Sequence, residues 1–264
     1  MHPIIRQAWD LPESRHTPEG VFHERRRHRR EFLQTLGRGV AAASGVGALL
    51  MAAGCMPTPE EIESAGRVQP LAAPQAALYP AARDKRFEYG RPETAQLEAA
   101  RYTNFYEFSS SKDCFRYVGD FQPLPWTVEV TGLCGKPRTF DLDDIYREFA
   151  LSERAYRHRC VETWAMCVPW TGFPLRELLA SVEPLPAAKY VEFETLERPA
   201  EMPGQQGGGT NPWPYMEGLT LAEAVNELTF MATGVYGSPL PKQHGAPLRL
   251  VIPWKYGYKS SKSI

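Results

Sequence analysis

Cysteine is scarce in this chain: five in 264 residues, at Cys55, Cys114, Cys134, Cys160 and Cys167. Thiols so few and so scattered exclude a disulfide framework. Cys160 and Cys167 have no second pair beside them, which excludes a zinc-finger spacing. An excess of charge is missing too, since 30 Lys and Arg face 31 Asp and Glu for a net −1. Residues 1–55 hold eight arginines against five acids, so the remainder is mildly acidic and gives no reason to invoke nucleic acid. The apolar stretch from Gly39 to Gly54 is mostly Ala and Gly, and is short for a membrane span of about 20 residues. Gly207-Gly208-Gly209 is followed by neither Lys-Ser/Thr nor a helix start, so Pro203 to Gly209 reads as a plain loop rather than a phosphate cradle.

What is present is a globular composition, 43% hydrophobic and 11% aromatic, enough for one large domain or two small ones. With 24 Pro and 21 Gly, many short strands joined by turns are expected. Residues 1–28 are rich in Arg and His without apolar period and read as disordered. Arg29-Arg30-Glu31-Phe32-Leu33 then places a twin arginine ahead of the weakly apolar stretch, the pattern of a bacterial Tat export signal. That route carries folded proteins, as a cofactor inserted in the cytoplasm requires. Leu50 to Cys55 has the look of a lipoprotein cleavage site, but Ala52 stands where such sites prefer Leu, so a lipid anchor at Cys55 stays open. The organisation expected is a signal segment over 1–55, an extended Pro/Ala-rich leader over 56–100, and a catalytic domain over 101–264.

Strands are expected at Trp126–Thr131, Arg138–Leu142, Tyr156–Val161, Lys189–Leu196, Thr229–Tyr236 and Leu248–Pro253. Helices are expected through Ile145–Phe149, capped by Asp141 or Asp143, through Pro174–Leu179 and over Leu221–Leu228. Pro169, Gly172 and Pro174 are read as ending the strand before them, leaving Trp164 to Trp170 as a Trp-rich loop.

Three stretches carry chemistry. Arg157-His158-Arg159-Cys160 puts a thiol at a strand end behind basic residues, which favour the reactive, metal-binding thiolate. The same eight residues, 157–164, equally allow a small buried hydrophobe. Tyr102 to Phe108 packs four aromatics with Asn104 and Glu107, either a buried edge or a polar ligand contact. Arg249 lies inside the apolar run Leu248–Ile252, where a cation is costly unless it meets an anion such as phosphate. The Lys-rich tail from Lys255 to Lys262 could complete that anion cradle or be solvated.

Long, ordered motifs add a resemblance: Asn-Phe-Tyr-Glu-Phe at 104–108, Tyr-Arg-His-Arg-Cys-Val-Glu-Thr-Trp at 156–164, Val-Pro-Trp-Thr-Gly-Phe-Pro-Leu at 168–175, Met-Pro-Gly-Gln-Gln at 202–206, and Gly245 to Lys259. Together they resemble the molybdopterin-containing catalytic subunits of bacterial periplasmic protein-methionine-sulfoxide reductases, from about residue 79 to the end. The resemblance implies an α+β fold of the sulfite-oxidase type, with mixed sheets and short helices, and one Mo-molybdopterin per chain. Cys160 would be the catalytic thiolate ligand of molybdenum, a role suited to a soft donor. Thr103, Tyr106, Glu107, Thr195, His244, Arg249, Ser260, Ser261 and Lys262 would contact the pterin and its phosphate. Thr103 stands where the family usually has Asn, and His244 where it often has Asn. Family chains also continue past the Lys-Ser-Ile end, which implies a C-terminally truncated product. Oxidised periplasmic proteins would be the substrates, and a haem-containing membrane subunit would deliver electrons from quinol. Two rivals remain: another sulfoxide or N-oxide reductase or a sulfite oxidase on the same fold, and a non-catalytic remnant lacking cofactor.

Overall fold

The computed structural model describes residues 57–206 and 212–264. The twin arginine, the Gly39–Gly54 stretch, Cys55 and the three glycines at 207–209 lie outside the described residues. Described structure starts on a capping box: Thr58 accepts from the Glu61 amide while the Glu61 carboxylate accepts from the Thr58 amide. Such a cap contributes about 1 kcal/mol and sets off helix α1 (Pro59–Gly66), with Pro at its first position. Two more helices follow, α2 (Ala73–Ala76) and α3 (Gln96–Arg101). The stretch expected to be extended is thus partly helical, and Thr58 to Ile264 forms one compact unit. Its composition hid this because the helices are short and gain stability from distant partners. Ile62 is buried in α1 and Ala99 in α3, and Tyr79 donates to the Thr233 hydroxyl at 2.7 Å.

A first small sheet pairs β1 (Thr127–Val130) with β2 (Arg138–Asp141), and helix α4 (Leu142–Glu148) follows on the Asp141 cap. The central sheet begins with the hairpin of β3 (Ser152–Arg159) and β4 (Ala165–Pro174). Helix α5 (Leu175–Val182) leaves directly from β4, with Pro174 as its N-cap residue. A second small sheet pairs β5 (Tyr190–Glu194) with β6 (Met216–Thr220), which leads into the one-turn α6 (Leu221–Ala224). β7 (Phe230–Val235) returns beside β4 and also pairs β8 (Ser238–Pro239) and β9 (Arg249–Val251). All these ladders are antiparallel, and short helices punctuate them, an α+β architecture.

The loop expectation fails as well. Trp164 to Trp170 is not a loop, because β4 runs from Ala165 through Pro169 and Gly172. Pro169 is tolerated because it lies just beyond the last β4–β7 pair, Trp170 with Val235. Its carbonyl accepts from the Tyr236 amide, so its missing N–H falls on the side where the ladder has already ended. At Gly172 the register shifts, and a Cβ there would overlap the Met231 carbonyl oxygen, so only glycine allows that close approach.

The central sheet is buried on both faces. Phe173, Met231 and Leu250 join one apolar cluster with Phe105, Phe108 and Phe140. Their strand neighbours Trp170, Ala232 and Val251 join another, with Tyr156, Val168 and Phe230. Strand alternation therefore decides what faces the second cluster, and Arg249 shares that side with Val251.

Candidate active site

Cys160 sits in the turn of the β3–β4 hairpin. Its amide donates to the Trp164 carbonyl at 2.9 Å, and its carbonyl accepts from the Thr163 amide at 3.2 Å. Closing so tight a turn puts Thr163 at φ 76°, a left-handed conformation rare for a β-branched residue. The result holds donors around the thiol. Asn104 Nδ2 lies 3.3 Å and the Glu162 amide 3.5 Å from Sγ. Glu162 itself is fixed by Lys112 at 2.8 Å, Trp164 Nε1 at 3.0 Å and Asn104 Nδ2 at 3.2 Å. Those three donors, Lys112 foremost, bring its carboxyl down to about 2, so it is ionised.

A cavity of about 230 Å³ opens above Sγ. β3 contributes His158, and β4 contributes Met166, Val168 and Trp170. Residues 102–107 form a second wall with Thr103, Asn104, Tyr106 and Glu107, and His244, Arg249 and Lys262 form the inner end. Glycine allows close packing at two places, behind the 102–107 wall and beside His158. A Cβ at Gly204 would overlap the Tyr106 carbonyl, and one at Gly257 would lie 2.7 Å from His158 Nε2.

The inner end is cationic. Arg249 is 4% exposed and, among the described residues, donates only to the carbonyls of His244, Leu250 and Ser260, at 3.0 to 3.3 Å. Its guanidinium lies over the Trp170 ring, and burial lowers its pKa to about 9. Lys262 has its Nζ 4.9 Å from the Phe105 ring centre, and burial with the Arg249 charge lowers its pKa to about 8. Burial, then the Arg249 and Lys262 charges, hold His158 and His244 neutral, at about 3. Glu107 is the buried carboxyl nearby, raised by burial and bonded to the Thr195 hydroxyl at 3.3 Å. Such a site favours an anion and offers open polar atoms to hold it. Thr103 Oγ1, Asn104 Oδ1 and Trp170 Nε1 are buried without a hydrogen-bond partner among the described residues. A phosphorylated, sulfur-bearing pterin fits this donor set.

Seven of the ten residues expected at the site line the cavity: Thr103, Tyr106, Glu107, Cys160, His244, Arg249 and Lys262. Three stand behind it. Thr195 holds Glu107, the Ser260 carbonyl accepts from Arg249, and Ser261 Oγ is buried without a partner among the described residues. The basic residues beside the cysteine need correcting. His158 shares the parity of Cys160, whereas Arg157 and Arg159 alternate onto the other face, Arg159 lying 4.6 Å from the Tyr256 ring centre. The cations that share the cavity with the thiol are Lys262 and Arg249, from the far end of the sequence. Sequence reasoning missed His158 and Trp170 as cavity residues. Strand parity with Cys160 would have found the first, but Trp170 was lost with the misread loop.

A family model described as the oxidoreductase molybdopterin binding domain matches residues 117–264. The protein-methionine-sulfoxide reductase catalytic subunit MsrP of Burkholderia mallei is 44% identical over 257 residues, 97% of this chain and 72% of that one. The protein of the same name from Xanthomonas axonopodis pv. citri is 44% identical over 98% of this chain and 74% of its own. Among solved structures, the sulfane dehydrogenase SoxCD of Paracoccus pantotrophus aligns with a TM-score of 0.46 and 16% identity, over 78% of this chain and 58% of that one. The chain belongs to the molybdopterin-binding oxidoreductases, and among them to the family of protein-methionine-sulfoxide reductase catalytic subunits.

Proposed function

We propose that this chain reduces methionine sulfoxide in oxidised exported proteins to methionine, as a molybdenum oxidoreductase. The observation that carries the reading is one cavity holding both a soft thiol, Cys160, and two cations, Arg249 and Lys262, that form no ion pair among the described residues. When bound, a molybdenum–dithiolene group supplies the two-electron oxygen-atom chemistry. The chain's share is binding, orientation and electrostatics. Cys160 is assigned as the metal's thiolate, and Asn104 and the Glu162 amide direct hydrogen bonds at its sulfur. Arg249 and Lys262 are assigned to the phosphate, the 260–262 run supplying Lys262 itself and the Ser260 carbonyl that accepts from Arg249. Thr103, Tyr106, Glu107 and His244 are assigned to the pterin, and Thr195 to orienting Glu107.

The stoichiometry proposed is one cofactor per chain, since one cavity holds all of these groups. The source of electrons proposed is a haem-containing membrane subunit fed by quinol, and the location the periplasm, reached by the Arg29-Arg30 signal; lipidation of Cys55 belongs to the same proposal as an open branch. Sulfite oxidation would call for arginines around the metal, and Arg157 and Arg159 face away from the cavity. Cys160→Ser and Cys167→Ser, assayed with a dye donor and a methionine-sulfoxide substrate alongside Mo content, test the assignment. Turnover is expected to vanish in the first and largely persist in the second, whose side chain alternates to the other face of β4. Equal activity of the Cys160 variant and the parent would overturn the ligand role.

A further inference from the structure

Behind the reaction cavity lies a second one, of about 340 Å³, lined among others by Ile62, Arg67, Gln96, Ala100 and Leu240. The two share a wall. Helix α3 gives Ala99 to the first and Gln96 with Ala100 to the second, and Gln243 lines both. At Gln243 the wall is a single residue. That side chain is 1% exposed, and its Oε1 has no hydrogen-bond partner among the described residues. It also lies hard against α1, where a Cβ at Gly66 would overlap the amide oxygen. A buried amide oxygen left open is costly, and the back cavity, with Glu63, Gln69 and Gln96 also on its lining, has room for several waters beside the side chain that carries it, each taking roughly 30 Å³.

The chemistry supplies a use for that water. Reducing one sulfoxide breaks the S–O bond, consumes two electrons from the donor and two protons from solvent, and releases one water. The front mouth opens among Tyr102, Tyr106, Val161 and Tyr258, at 39%, 42%, 57% and 50% exposure. A polypeptide substrate lying across that mouth would close it to solvent, whereas a free amino-acid sulfoxide would not. We propose that Gln243 is the septum through which protons arrive and product water leaves, by way of the back cavity, while a polypeptide covers the front. A carboxamide suits this role, since it donates and accepts at once and bridges waters on its two sides without changing charge. The inference rests on the sulfoxide-reductase reading and adds a second solvent route to it.

The test compares two substrates on cofactor-loaded enzyme with a dye donor: oxidised casein, which covers the mouth, and free methionine sulfoxide, which leaves it open. Gln243→Leu removes the bridging amide, and Ala100→Leu fills the back cavity from the α3 part of the shared wall. Each variant is expected to lose about tenfold or more in kcat on casein. Activity on free methionine sulfoxide is expected to stay within about twofold of the parent. The solvent deuterium isotope effect on kcat should rise on casein alone. Equal losses on both substrates, or no loss on either in both variants, would overturn the septum. Should Gln243→Leu lose its molybdenum, Ala100→Leu decides by the same two outcomes. A parent that reduces neither substrate would instead sink the sulfoxide-reductase reading itself.

Discussion

The Arg249 guanidinium carbon lies 4.6 Å from the centre of the Trp170 ring, with both side chains buried on one face of the central sheet, across β7 from each other. The ring shields one face of the cation and three backbone carbonyls take its edge donors, so it is positioned without being neutralised. A folded chain tolerates such a charge when a bound anion compensates it. Lys262 crosses back beside it through the bridge between Arg249 and Lys262, which brings the tail into the same pocket.

From that pairing follows the first prediction. Arg249→Met keeps length but removes charge-assisted hydrogen bonds, each worth about 1.5–3 kcal/mol. Cofactor affinity should fall by about ten- to a hundredfold, and Arg249→Lys should retain part of it. Pterin and Mo content after dialysis measures this. Full occupancy in the Met variant would show that Arg249 serves the fold rather than an anion.

The second prediction concerns Gly204. Its backbone packs directly under the Tyr106 carbonyl, and an added Cβ would overlap that oxygen and crowd the Glu107 carbonyl. Neither is the end of a flexible side chain, so the 102–107 wall must move. Gly204→Ala should cost about 1–3 kcal/mol and displace Tyr106 and Glu107 together. A thermal midpoint equal to the parent's, with unchanged cofactor content, would contradict it.

The sequence was most legible where local rules and tertiary packing agree. The Asp141 cap of α4, the β5 alternation and the β7 and β9 runs all appear close to where they are expected. Arg249 was readable because a cation within an apolar run is anomalous on its own. The residues that failed did so for long-range reasons. Pro169 and Gly172 look like breakers until the end of β7 and the Met231 backbone are seen beside them. Residues 57–100 look free until Tyr79 is found bonded to Thr233, 154 positions away. Arg157 and Arg159 were placed near the thiol by sequence distance, but a strand sends odd and even residues to opposite faces.

Export gives a third prediction. Recognition of a twin-arginine signal depends on guanidinium groups, whose planar fork of donors a Lys ammonium lacks. Replacing both Arg29 and Arg30 by Lys should leave precursor in the cytoplasm, with the folded domain intact. Fractionation of cells expressing each form reads this directly, and equal periplasmic yield would remove the Tat assignment.

The last prediction is a pH dependence set by Glu107. Burial raises its pKa, only partly opposed by the Lys262 charge and the Thr195 hydrogen bond. A carboxyl whose folded pKa lies above its unfolded value binds more protons in the folded state. Its contribution to stability is therefore fully present below the unfolded value and is lost as pH rises through the folded one. For the cofactor-free protein, stability should fall as pH climbs above the ordinary glutamate range near 4.5, because an ionised Glu107 must then be kept buried. Glu107→Gln cannot ionise and keeps the side chain's shape. It should be the more stable of the two at neutral pH and should lose this part of the pH dependence. Thermal midpoints of both proteins, followed from about pH 4 to about pH 8, make the comparison. Curves that run parallel over that interval would mean that Glu107 is already stabilised as a carboxylate, and that Lys262 is its partner rather than the phosphate's.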